Sequence, residues 1–419
     1  MGADAVAIIL GAKLARRSND TDYPFRQDSD FRYLTGYDHP NAVALLRTDG
    51  GPEFTLYVEP RDPDAERWTG HRPGTDGAIS DYGADEAFAR EEFLRHVATF
   101  TGKARRLYHV LGRDEAIDSK LTSSLEEMRI RSRQGLVPAD AIFDPRAILH
   151  EMRVHKEPAE LEIMRRAAVI SQHAHAAAAR LAREGAYEYE LQAAIEYEFR
   201  RRGAAGPAYT TIVGGGANAT ILHYIVNDQP LRDGELVLID AGCELEGYAS
   251  DVTRTYPVGG TFVGEARSVY EVVLAAQQAA LDRCKPGSTL TDVHDAAVRR
   301  IAEGLVDLKL VTGSVDEVIA NETYRSYYMH NTSHWLGLDV HDSGAYRIDG
   351  EARTLADGMV FTVEPGLYIS ADDERVPAGF RGIGVRIEDD VAMTADGYEN
   401  LTADIPRRPD EVENLIHGS

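Results

Sequence analysis

"ELVLIDAGCELEGYASDVTRTYPV", residues 235–258, contains two carboxylates where a buried strand should be apolar. Asp240 closes the run "LVLID", and Asp251 follows eleven residues later in "YASDVTRTY", which reads as the paired strand. Two further segments repeat the pattern: Glu364 follows "MVFTV" and Glu388 follows "GVRI". An ionised carboxylate facing a core is costly unless it is paired or binds a metal. Any one of these acids has a structural explanation as a paired strand-end residue. Four of them together, with a histidine nearby, would repel one another in the absence of a cation.

The histidine comes from "HNTSHWLGLDVHD", residues 330–342, which places His330, His334 and His341 around a tryptophan. On spacing alone any of the three could be the ligand. Four carboxylates and one imidazole form a hard, oxygen-rich donor set suited to Mn²⁺ and similar divalent ions rather than to a thiolate zinc site. Four negative charges exceed what one catalytic cation with an open position needs. They fit two ions about 3.5–4 Å apart sharing bridging carboxylates and a bridging hydroxide, an arrangement made for hydrolysis.

Outward from these segments, the chain of 419 residues is long enough for two domains. Residues 1–150 read as an N-terminal α/β domain. "AVAIILGA", "AVALLRT" and "FTLYVEP" are strands, "PRDPDAERWTGHRPGTDG" is a polar loop, and "DEAFAREEFLRHVATF" has helical spacing. Residues 151–419 read as an α+β catalytic domain. Pro158 opens a helix to about residue 183, "YEYELQAAIEYEFRRRG" is a second helix ending at Gly203, and two more span 264–283 and 291–306 between apolar strands.

The net charge of −24 argues against nucleic acid or an anionic membrane as a partner. Two cysteines, Cys243 and Cys284, exclude a disulfide framework and fit reduced thiols in a cytoplasmic protein. The N-terminus lacks the pattern of a signal peptide, and no apolar stretch is long enough to span a bilayer. Other hydrolase and nucleotide motifs fail: "HEMRVH" has the wrong spacing for a zincin helix, there is no G-x-S-x-G, and "VGGGANA" has neither the phosphate-loop lysine nor G-x-G-x-x-G.

The segments "YPFRQDSDFRYLTGYDHPNAV", "TIVGGGANATILHY", "VLIDAGCELEGYASDVTRTYPV", "MHNTSHWLGLDVHD", "FTVEPGLYI" and "RGIGVRIEDD" together resemble the pita-bread metallopeptidases of family M24B and, within them, the aminopeptidase P (Xaa-Pro aminopeptidase) family. The resemblance runs nearly end to end. It implies a creatinase/aminopeptidase-P-like N-terminal domain, a pita-bread catalytic domain with a curved antiparallel sheet, and release of the N-terminal residue from peptides with proline in second position. It implies Asp240, Asp251, His334, Glu364 and Glu388 as ligands of two divalent ions, Mn²⁺ first and Co²⁺ or Zn²⁺ as the other choices. Asp251 and Glu388 would bridge, Asp240 would chelate one ion, and His334 with Glu364 would complete the other. Glu364 would also shuttle the proton.

The resemblance implies further that His223 and His341 hydrogen-bond the substrate carbonyl or developing oxyanion, that His330 lines the leaving-proline site, and that Arg386 pairs with Tyr368 beside it. Trp68, in "ERWTGHR", resembles a family tryptophan that closes the active site, from its own or a neighbouring subunit. The bland alternative for Trp68 is a partly buried loop anchor. A homodimer or homotetramer is implied. The chain departs from the family in opening directly on a strand, without the usual leading helical segment. It departs also in "HNTSH", where Asn331 and Thr332 replace smaller, more apolar residues. Prolidase, on the same fold with the same ligands, is the competing reading; a metal-free binding protein would require a substituted ligand, and none is substituted.

Overall fold

Ala5–Leu10 is apolar without interruption, as a strand covered on both faces should be. In the computed structural model, which describes residues 1–418, it lies inside a six-stranded sheet in the order 86–89, 54–58, 43–47, 5–10, 106–109, 141–143. It pairs antiparallel with Val43–Arg47 and parallel with Arg106–His109. Alternation sends Val6 and Ile8 into one core with Phe93, Val97 and Leu107, and Ala5, Ala7 and Ile9 into the other with Phe31 and Leu56. This sheet and its helices form one compact unit, Met1–His150; the second is Glu151–Ser419.

Two stretches of the first unit differ from the sequence expectation. The polar stretch expected as a loop contains the helix Pro63–Thr69 and the start of the helix Gly74–Ser80. Asp62 accepts hydrogen bonds from the backbone of Asp64 and Ala65, and Pro63 occupies the first turn, so capping chemistry outweighs the turn-rich composition. The stretch expected as one helix from residue 85 begins as a strand, Glu86–Ala89, because it pairs in parallel with Thr55–Val58; the helix proper is Phe93–Thr101.

In the second unit Pro158–Ala179 and Glu188–Arg201 pack into one core with Gly264–Leu281 and Leu290–Asp307. The strand pairings here are antiparallel. Leu236–Asp240 lies between Ile212–Gly215 and Thr253–Pro257; Val360–Val363 pairs with Asp389–Met393; Gly366–Ile369 pairs with Ile383–Arg386. Asp251 is not in the paired strand itself. Residues 243–249 turn back as a small hairpin, and Asp251 precedes Thr253, whose partner is Asp240. Gly242 makes this crossing feasible: a Cβ there would lie 1.7 Å from the carbonyl oxygen of Ser250.

Candidate metal centre

That crossing brings Asp240 and Asp251 to one place. Asp251 is fixed by its backbone N–H, which donates to Asp390 Oδ2 at 3.1 Å. Thr253, two residues on, donates its hydroxyl to Glu388 Oε2 at 2.6 Å and accepts from Arg386 Nε at 3.0 Å. The Glu388 N–H in turn donates to the Thr253 carbonyl at 3.0 Å. Glu364 and His334 are tied by main-chain bonds from Glu364 N to Thr332 O, 2.8 Å, and from Thr362 N to His334 O, 3.0 Å. His334 Nδ1 donates to the Trp335 carbonyl at 3.0 Å, leaving Nε2 at 3.3 Å from Asp251 and 3.5 Å from Glu364. A second-nitrogen anchor of this kind orients a metal-ligating imidazole.

The ligand atoms of Asp251, His334 and Glu388 lie within 4.8 Å of one another. Asp240 and Glu364 are not part of this trio but line the same cavity of about 900 Å³. Asp240 is engaged on both oxygens, by Tyr209 OH at 2.6 Å and Arg386 Nη2 at 2.5 Å.

The charge balance calls for cations. Burial, then the charges of Asp251, Glu364 and Asp240, push the Glu388 carboxyl well above the usual range. Burial also raises Asp240, against the opposing pull of Arg386. Glu364 is pushed up to about 7, by burial first, with Asp251 and Asp240 adding to it and His334 and Arg386 opposing. Burial alone would lower His334, but its hydrogen bond to Asp251 and the charge of Glu364 raise it to about 9. The imidazolium thus does for the surrounding carboxylates what a cation would do. Four carboxylates and one anchored imidazole are the donor set of a hard divalent ion, and these residues fit one.

Around the acids stand the residues expected to handle a peptide. His330 Nε2 lies 2.8 Å from Tyr368 OH, to which Arg386 Nη1 donates at 3.0 Å. Burial and the nearby Arg386 charge lower His330 to about 3, so it is a neutral imidazole. His341 is exposed, and its ring meets that of His334 edge-on at 4.4 Å between centroids. His223 is exposed on the cavity wall. Trp68 lies in the first unit, on the helix Pro63–Thr69, and is 89% exposed, so it is not a partly buried anchor. Tyr209, Thr253 and His294 complete the surroundings. Tyr209 and His294 lie outside the segments that carry the resemblance, and Thr253 lies inside one without standing out as a chemical group; strand pairing and helix packing bring the three here.

This arrangement, an acid-rich centre in an antiparallel α+β unit that follows a separate α/β unit along the chain, is that of a metallopeptidase. Residues 162–395 match the model of metallopeptidase family M24, and residues 1–108 match that of the aminopeptidase P N-terminal domain; the chain belongs to family M24, with its pita-bread catalytic fold, and is a divalent-metal hydrolase. Among similar proteins, Xaa-Pro aminopeptidase of Escherichia coli (strain K12) is 44% identical over 418 residues, covering 99% of this chain and 94% of the relative. Its namesake in Haemophilus influenzae is 44% identical over 413 residues, 98% of this chain and 93% of the relative. The solved structure of Pseudomonas aeruginosa aminopeptidase PepP superposes with a TM-score of 0.97 at 45% identity, covering 100% of this chain and 95% of that one. Among the described residues, no helix is long and apolar enough to cross a membrane.

Proposed function

We propose that the chain is a cytoplasmic Xaa-Pro aminopeptidase, acting as a homodimer or homotetramer on peptides with proline in second position. The observation that carries this reading is the convergence of Asp251, His334 and Glu388 within 4.8 Å, in one cavity with Asp240 and Glu364. Those five side chains would hold two divalent ions, Mn²⁺ by preference with Co²⁺ or Zn²⁺ as substitutes; Asp251 and Glu388 would bridge. When bound, such ions supply an activated water and polarise the carbonyl under attack.

The chain's own groups do the rest. Glu364 takes a proton from the attacking water and delivers it to the leaving imino nitrogen of proline. His223 and His341, both at the cavity wall, donate to the scissile carbonyl and to the charge that develops there. Arg386, Tyr368 and His330 form a hydrogen-bonded row against which the proline ring is placed. The 34–44% identity to proteins named Xaa-Pro aminopeptidase over nearly the whole chain favours this reading over prolidase.

A panel of Xaa-Pro di-, tri- and longer peptides, assayed with Mn²⁺, Co²⁺ and Zn²⁺, tests it. The expected result is cleavage of the Xaa-Pro bond in tripeptides and longer peptides. Hydrolysis confined to dipeptides would overturn the aminopeptidase reading in favour of prolidase.

A further inference from the structure

Thr332, one of the two residues that set "HNTSH" apart, is fully buried, and its hydroxyl has two neighbours. Its Oγ1 lies 2.6 Å from Tyr328 OH and 2.8 Å from His294 Nδ1. Tyr328 is 1% exposed, and among the described residues its hydroxyl has no other hydrogen-bond partner. Leaving a buried hydroxyl hydrogen unpaired costs about 1–3 kcal/mol, so Tyr328 donates to Thr332. Thr332 has a single hydrogen, which is then directed at His294 Nδ1. A neutral imidazole that accepts at Nδ1 carries its own hydrogen on Nε2.

His294 stands near the start of the helix Leu290–Asp307, half-buried, on the wall of the cavity that holds Glu364 and His330. Its Nε2 has no partner among the described residues. The network also reaches the reacting centre, because the carbonyl of Thr332 accepts the Glu364 N–H at 2.8 Å. The relay thus leaves one cavity-wall donor with its tautomer locked and no acceptor among the described residues.

We propose that His294 is a further substrate-contacting residue, donating Nε2–H to an oxygen of the bound peptide. This rests on the peptidase reading above. The acceptor is a peptide oxygen, either a backbone carbonyl or a terminal carboxylate.

The test measures KM and kcat for Ala-Pro-Ala and for its C-terminal amide, with Mn²⁺, in wild type, His294→Phe, His294→Gln and Thr332→Val. Loss of one such hydrogen bond raises KM by about 3- to 10-fold in His294→Phe, with kcat and metal content held. His294→Gln, which keeps a donor at similar reach, restores most of the affinity. Thr332→Val, which removes the lock but leaves the ring, moves KM the same way by a smaller factor and serves where the phenylalanine variant does not fold. A penalty confined to the free acid identifies the carboxylate as acceptor; an equal penalty on the amide identifies a carbonyl. An unchanged KM in His294→Phe, or a fall in kcat alone that glutamine does not rescue, overturns the proposal. A wild-type enzyme that cleaves neither peptide overturns the peptidase reading beneath it.

Discussion

His334 keeps its Nδ1 hydrogen on the Trp335 carbonyl and aims Nε2 between Asp251 and Glu364, whereas among the described residues His223 forms no ion pair with any of the acids and lies on the cavity wall. The two histidines should therefore fail differently. His334→Ala is expected to lose bound metal and nearly all turnover. His223→Ala is expected to keep its metal and lose about 10²-fold in kcat, the usual consequence of deleting one donor to a developing oxyanion. Metal content by elemental analysis alongside kcat checks both; loss of metal in His223→Ala would contradict its place on the substrate side. The ligand types were legible because carboxylates in apolar strands stand out against their neighbours. Tyr209 and Thr253, which hold Asp240, Glu388 and Arg386 in place, were not, because a tyrosine or threonine in a strand-rich segment is unremarkable until the register Asp240–Thr253 is known.

Two elements are braced by buried polar groups behind the site. Arg254 and Asp389 are both fully buried and pair at 2.6 Å, and Arg254 also donates to the carbonyls of Thr253, Glu388 and Ile405. Arg254→Met leaves the buried Asp389 with the more distant Arg407, at 3.8 Å, in place of its 2.6 Å partner, and removing one member of such a buried pair costs up to about 3–5 kcal/mol. Urea denaturation should read that loss, together with weakened metal binding through Glu388.

On the helix Pro158–Ala179, His175 donates from Nε2 to the Ala241 carbonyl at 3.0 Å and accepts from Tyr256 OH at 3.3 Å. Burial lowers its pKa from 6.5 to about 4. The native state therefore resists a proton that the unfolded chain accepts. The contribution is present in full above about pH 6.5 and is lost as pH falls from 6.5 toward 4, by about 3 kcal/mol at the low end. Relative to wild type, His175→Gln should show a flatter stability profile across that window; parallel profiles would contradict the assignment. At this scale the strands and long helices were legible from periodicity. The helix Pro63–Thr69 was not, because Asp62 and Pro63 serve a helix start and a turn equally well, and only the capping bonds distinguish them.

The whole molecule carries a net charge of −24, and four of its carboxylates, Asp240, Asp251, Glu364 and Glu388, line one cavity. Divalent ions bound there stabilise the folded chain by mass action, about 2.7 kcal/mol at a free concentration one hundred times the Kd. Chelation should therefore lower the melting temperature, and Mn²⁺ should restore it; a melting temperature indifferent to metal would count against a site of this strength. The division into two units was legible as a change of texture near residue 150, from short strands to long helices. The positions of Thr332 against His294, and of Gly242 against Ser250, were not, since they depend on packing between segments that the sequence does not relate.

If the five side chains hold two ions, their joint occupancy drives cleavage before proline. The most direct measurement is the rate of Ala release from Ala-Pro-Ala as chelated, dialysed protein is titrated with Mn²⁺. Negligible release without metal and a rise to a plateau at two equivalents per chain are expected. Full activity without added metal, or a plateau at one equivalent, would contradict this expectation.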